Sequence, residues 1–144
     1  MSLKKRFSLA VLCMGLMGTV QAADQVHDLD FKAAVDRAVA DGALDGSVKF
    51  YLSGTKSGGK VLQQGAVTNK KTNGFAKSAE SSCDRVLRSA LIQLQSAAKA
   101  KGGNAVTNIV SYFKSNEAKS STTYQCYKGM ALTSVALKGD IVKF

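Results

Sequence analysis

The sequence predicts an α+β domain: a single, mainly antiparallel sheet of about five strands, one long amphipathic helix packed on it, a shorter N-terminal helix and one disulfide. Three observations predict it. An unbroken apolar stripe at helical spacing runs through Ser81–Lys101. Short alternating or apolar runs, bounded by Gly, Ser and Asn, lie on both sides of that stripe. The two cysteines of the main body, Cys83 and Cys126, fall on the long helix and on one of the strands.

The elements follow in order. Asp28 or Asp30 caps a first helix, in which Phe31, Ala34, Val35, Ala38 and Val39 recur every three or four residues; Gly42 ends it. From Ser47 to Ser53, Val48, Phe50 and Leu52 alternate with Lys49 and Tyr51, the pattern of a half-buried strand. Gly54–Gly59 is a turn, and Lys60–Thr68 reads as a second strand and the hairpin partner of the first. Asn69–Gly74 reads as a polar loop with turn chemistry. In the long helix Cys83, Val86, Leu87, Ala90, Leu91, Leu94, Ala97 and Ala98 share one face, and Gly102-Gly103 stops it. Three strands follow: Ala105–Phe113, apolar on both faces and therefore central, Thr122–Tyr127, and Ala131–Leu137, which Ile141–Phe144 extends or covers.

The N-terminus carries an address. Lys4, Lys5 and Arg6 precede an uncharged, mostly apolar run from Phe7 to Val20, and Val20-Gln21-Ala22 places small or apolar residues where a signal peptidase reads. The run is shorter than the ~20 residues of a spanning helix. Residues 1–22 are therefore expected to be a signal peptide cleaved between Ala22 and Ala23, leaving residues 23–144 as one domain in the periplasm, or secreted. Cys13 lies inside the apolar run after Leu12, without the small preceding residue of a lipid-attachment site. No later stretch approaches membrane length. Export places Cys83 and Cys126 in an oxidising compartment, where pairing is the default.

Charge is divided along the chain. Residues 23–45 hold six acids against Lys32 and Arg37, whereas residues 46–144 hold fifteen Lys and Arg against four acids. A basic body suits a polyanion such as lipopolysaccharide, nucleic acid or an acidic polymer; equally, it keeps a protein soluble, with the acidic segment packed on part of it.

Motifs of catalysis are thin. Gly54–Lys60 fits Gly-x-x-x-x-Gly-Lys, but Val61 stands where a phosphate loop has Ser or Thr, and a strand follows where a helix is needed, so no ATP is expected. His27 is the sole histidine, and one histidine with two paired cysteines builds neither a nucleophilic triad nor a zinc site. Asp24, Asp28 and Asp30 lack calcium-loop spacing. Neither a metal nor a cofactor is expected. Glu80, Asp84, Glu117 and Asp140 are the carboxylates a hidden acid–base site would use, yet each fits a helix start, a loop or a turn. The segment Asn69, Lys70, Lys71, Thr72 and Asn73 is the candidate binding loop, since paired charge beside amide and hydroxyl groups suits an anionic group or a protein partner. Tyr124 and Tyr127 sit as ordinary strand residues that can add ring contacts.

Three stretches, Thr68-Asn69-Lys70-Lys71-Thr72-Asn73-Gly74-Phe75, Gly102-Gly103-Asn104-Ala105-Val106-Thr107-Asn108-Ile109 and Val135-Ala136-Leu137-Lys138-Gly139-Asp140-Ile141-Val142, with Cys83 and Cys126 between them, resemble small exported proteobacterial proteins often labelled "excinuclease ATPase subunit". Excinuclease ATPases are large cytoplasmic proteins with complete phosphate loops and zinc-binding cysteines. This chain has neither, so the resemblance implies a small exported domain and not that activity. The half of the chain from the long helix through Gly-Gly-Asn-Ala to the cysteine strand is also similar to YbjQ-type domains and to the sensor lipoprotein of the Rcs envelope-stress system. That similarity implies a helix packed on a sheet and, for the sensor, work done by contacting partner proteins. The expectation is a non-enzymatic periplasmic module that binds a protein or envelope component. A charge-driven binder of polyanions is the alternative, and an enzyme with a hidden carboxylate site the second.

Overall fold

The computed structural model describes residues 24–144; the expected signal peptide and its Ala22–Ala23 cleavage point lie outside them. Six strands and two helices follow in the order β1 (Gln25–Asp30), α1 (Phe31–Ala40), β2 (Lys49–Leu52), β3 (Lys60–Asn73), α2 (Ala79–Ala100), β4 (Ala105–Ser111), a 3₁₀ turn at Phe113–Ser115, β5 (Thr123–Lys128) and β6 (Leu132–Lys143). The fold is α+β, with antiparallel pairing everywhere except between β2 and β4.

Both helices form where their caps place them. The Asp30 side chain accepts from the Ala33 amide, so of the two candidate caps it is Asp30 that starts α1. Ser78 Oγ accepts from the Ser81 amide and starts α2, with Glu80 in the first turn favoured by the helix dipole. Gly102 ends α2 at φ +80°, a left-handed conformation that costs glycine nothing. Val86, Leu87, Ala90, Leu91, Leu94 and Ala98 are buried along α2 against the sheet, where they meet Val135, Leu137 and Ile141 of β6 and Val106 and Ile109 of β4.

β6 is the spine of the sheet. On one side it pairs with β3, from Lys143↔Lys60 to Leu132↔Asn73. On the other side it pairs with β4 from Val142 to Leu137, then with β5 at Ser134 and Thr133. One strand thus changes neighbour along its length, and the sheet curls. The order is β1-β5-β6-β4-β2, with β3 beside β6.

Two expectations are corrected here. β2 and β3 do not form a hairpin: β2 pairs in parallel with β4, and β3 pairs with β6. β2 is only four residues long, while β6 buries residues on both faces and needs a hydrogen-bonded neighbour on each side; the longer β3 supplies one of them. Asn69–Asn73 is not a loop but the last third of β3. Its polar character reflects an exposed face and an unpaired edge. The turn chemistry is real but shifted: Asn73 Oδ1 accepts from the Phe75 amide, and the turn lies at Gly74–Ser78. β1 was not foreseen, because the alternation in Gln25–Asp30 is weak and the strand lies at the sheet margin.

Close packing around β6 depends on Gly139. A Cβ there would lie 2.8 Å from Val106 Cγ1, 3.0 Å from Ile109 Cγ1 and 3.1 Å from Thr107 O. Gly139→Ala is expected to destabilise by about 1–3 kcal/mol, because backbone and branched side chains of a buried strand must shift; chemical denaturation measures this.

The acidic N-terminal segment does pack on part of the basic body. Asp41 binds Arg88 at 2.5 Å, Arg37 binds Asp84 at 3.0 Å and Asp45 binds Lys99, joining α1 and the loop after it to α2. The Asp45 carboxyl is held well below the usual carboxylate range by its hydrogen bond from Lys99 and then by those from Ser47. A depressed carboxylate stabilises the fold above its unfolded pKa of about 4, and that contribution is lost as pH falls through the depressed folded value. Asp45→Asn is therefore expected to lower the melting temperature at neutral pH, where the carboxylate's contribution is present in full, and to differ progressively less from the native protein as pH falls below about 4, so that the variant's loss of melting temperature on acidification is shallower.

Candidate functional site

Strand alternation decides what β3 presents. Thr68 Oγ1 donates to Gln93 Oε1 of α2, so the even-numbered residues, Lys70 and Thr72 among them, lie on the helix side. Asn69, Lys71 and Asn73 are exposed on the opposite face, across from Ala136, Ser134 and Leu132 of β6. The five residues of the predicted loop are thus divided between two surfaces, and Lys70 and Lys71 do not act together.

On the outer face Lys71 joins groups from elsewhere in the chain. Beyond β4, Ser111 bridges to Ala118, and this folds Tyr112–Glu117 over the sheet. Phe113 stacks on Tyr127 of β5, with ring centres 3.7 Å apart and planes 15° apart. Lys114 Nζ sits 5.4 Å from the Phe113 ring centre. A cavity of about 370 Å³ lies between these elements, lined by Asp24, Asn69, Lys71, Phe113, Lys114, Met130 and Leu132 among others. The β5–β6 turn that carries Met130 is tied to the β3–α2 turn by the Gly74 amide donating to the Ala131 carbonyl, and by Lys128 Nζ donating to the Gly74 carbonyl.

Ion pairs are concentrated on the helix side of the molecule. Every ion pair but one among the described residues lies on α1, α2 and the loop after α1; the exception joins Lys138 to Glu117. Among the described residues no carboxylate lies within ion-pairing distance of Lys71, Lys114 or Lys128.

The remaining candidates are placed as follows. Cys83 of α2 and Cys126 of β5 form the disulfide, with Cα atoms 5.9 Å apart and both residues fully buried. Gly54–Lys60 leads into β3 and not into a helix. His27 lies in β1 with its Nε2 buried and without a hydrogen-bond partner among the described residues. Among the described residues no cluster of three metal-ligating side chains occurs. Glu80 and Asp84, one turn apart on α2, line a second cavity of about 570 Å³ with Arg37 and Tyr124. There both Asp84 oxygens are engaged, by Arg37 and by Arg88, and burial together with the nearby Asp84 charge pushes the Tyr124 phenol up, out of the range where it exchanges protons at neutral pH. Glu117 pairs with Lys138, and Asp140 accepts from the Gly65 amide and Asn108 Nδ2. Glu117 and Asp140 line neither cavity. Among the described residues no helix is long and apolar enough to cross a membrane.

The sequence reading missed Phe113, Lys114, Met130 and Leu132. A signal for Met130 existed: a large apolar side chain directly after glycine in a polar turn, Lys128-Gly129-Met130, has no burial to explain it. Asn73-Gly74-Phe75 has the same form. No family model, no curated protein and no solved structure matches the chain.

Proposed function

We propose that the protein is a non-enzymatic binding module of the periplasm, and that it engages an anionic component of the envelope through the outer face of its sheet. One observation carries this: around the Lys71 cavity, cations without carboxylate partners are combined with an aromatic stack and exposed apolar side chains. Lysines are normally solvated individually and spread over a surface. Here chain segments distant in sequence bring them to one concavity, where their fields add and attract polyanions. Of the carboxylates an enzyme would need, Asp84, Glu117 and Asp140 are held by partners of their own, and Glu80 lies in the first turn of α2, where the helix dipole favours an acid. The disulfide fits an oxidising compartment.

The test is capture of envelope material by the purified protein at low and at roughly physiological-to-molar salt. The expected result is retention of anionic material that falls steeply with salt. Retention of one protein at high salt would favour a second reading, motivated by β3: it hydrogen-bonds to β6 alone, so its other edge is open to a strand from a partner protein.

A further inference from the structure

The three most exposed large apolar side chains of the described residues are Met130, Phe75 and Leu132, at 73%, 65% and 52% exposure. They occupy one end of the molecule. Leu132 pairs with Asn73, and the hydrogen bond from the Gly74 amide to the Ala131 carbonyl sets Phe75 and Met130 on adjoining turns. Lysines outnumber acids beside them: Lys71 and Lys114, with one acid, Asp24, line the cavity to which Met130 and Leu132 contribute, Lys77 lies in the turn after Phe75, and Lys128 reaches the carbonyl of Gly74. The backbone is also unusual here. Of the four non-glycine residues with positive φ among the described residues, Ala76, Lys114 and Ser115 belong to the two segments that border this end, a conformation that costs free energy and tends to persist where the local shape has a use.

From this juxtaposition we infer that the end of the molecule formed by the 74–77 and 129–132 turns docks on an anionic phospholipid surface, with Phe75, Met130 and Leu132 entering the interfacial layer and Lys71 and Lys114 holding headgroup phosphates. The inference rests on the proposed binding role of the outer face and specifies its ligand. Exposed apolar tips on two adjoining turns with lysines beside them match a bilayer, which offers apolar depth below a plane of phosphates. They match a soluble polyanion poorly, since it offers nothing for the apolar tips. A folded protein partner would require a broad complementary area, on the order of 800 Å² from each side, and the exposed apolar groups here are three tips at one end.

The chain contains no tryptophan, so Phe75→Trp provides a single reporter. Vesicles of phosphatidylglycerol mixed with phosphatidylethanolamine, and vesicles of phosphatidylcholine alone, are titrated against this variant, with inorganic polyphosphate as the soluble polyanion. The expected result is a blue shift with the anionic vesicles only, quenching by lipids brominated along the acyl chain, and loss of vesicle binding by about tenfold or more when Met130→Ser and Leu132→Ser are introduced. Circular dichroism and an unchanged melting temperature check that the serine variant is folded. Polyphosphate binding without a blue shift on vesicles would overturn the lipid inference and leave the proposed anion-binding role standing. Binding to neither would overturn both.

Discussion

Replacing Cys83 and Cys126 by alanine, or reducing the bond between them, is expected to lower stability by about 4 kcal/mol in the chain-entropy description, because the bond closes a loop with 43 residues of sequence separation. The loss should be uneven. β5 meets the spine of the sheet at only two register pairs, Tyr127↔Ser134 and Lys128↔Thr133, and β1 is paired to β5 alone. The β1–β5 arm is therefore held largely by its hinge on β6, by the burial of Tyr124 against Phe31, and by the covalent link from Cys126 to α2. Hydrogen exchange on the reduced protein should show the amides of Gln25–Asp30 and Thr123–Lys128 losing protection before those of β3, β4 and α2. Equal loss everywhere would mean that the bond stabilises the domain as a unit and not the arm in particular.

The second large effect separates two neighbouring lysines. Lys71→Glu is expected to weaken binding to anionic envelope material roughly thirtyfold, since a lysine near an anionic surface contributes about 1 kcal/mol and reversal of its charge about doubles that. Lys70→Glu is expected to change it by less than about fivefold. The two residues are adjacent in sequence, and a flexible loop would make them interchangeable. In strand β3 they are on opposite faces, Lys71 exposed beside Asn69 over the aromatic stack and Lys70 on the side of Thr68 and α2. Titration of each variant at one fixed ionic strength, with melting curves to confirm folding, measures the ratio. Equal effects would show that net charge, and not the outer face, determines binding.

Much of the fold can be read from the residues because its largest element is periodic. The stripe from Cys83 to Ala98 fixes α2, and Ser78 and Gly102 mark its ends. The apolar runs of β4 and β6 declare buried strands, and Cys83 and Cys126, the two cysteines that follow the N-terminal apolar run, are the pair that bonds. Strand partners are harder to read. Hydrogen bonding between strands is made by the backbone, so nothing in Val48–Leu52 says whether its neighbour is β3 or β4; a glycine-rich turn between two strands suggests a hairpin even where a longer strand later in the chain takes the place. The polar end of β3 was hidden for a related reason. Asn, Lys and Thr are turn residues and also the residues of an exposed sheet face, and only the pairing with β6 separates the two. The candidate site is the least legible part. Lys71 could be nominated from sequence, but its companions Phe113, Lys114 and Met130 come from segments about 40 to 60 residues away and meet it only through the change of neighbour along β6.

The measurement that bears most directly on the proposed role is photocrosslinking in intact cells, with a photoreactive amino acid in place of Asn69 and, in a control, in place of Lys49, which lies on β2 across the sheet from β3. Lipid adducts from position 69 and few or none from position 49 are the expected result. Adducts of equal yield from both positions, or a discrete protein adduct at position 69 without lipid, would contradict the assignment of the outer face as the surface that meets an anionic membrane.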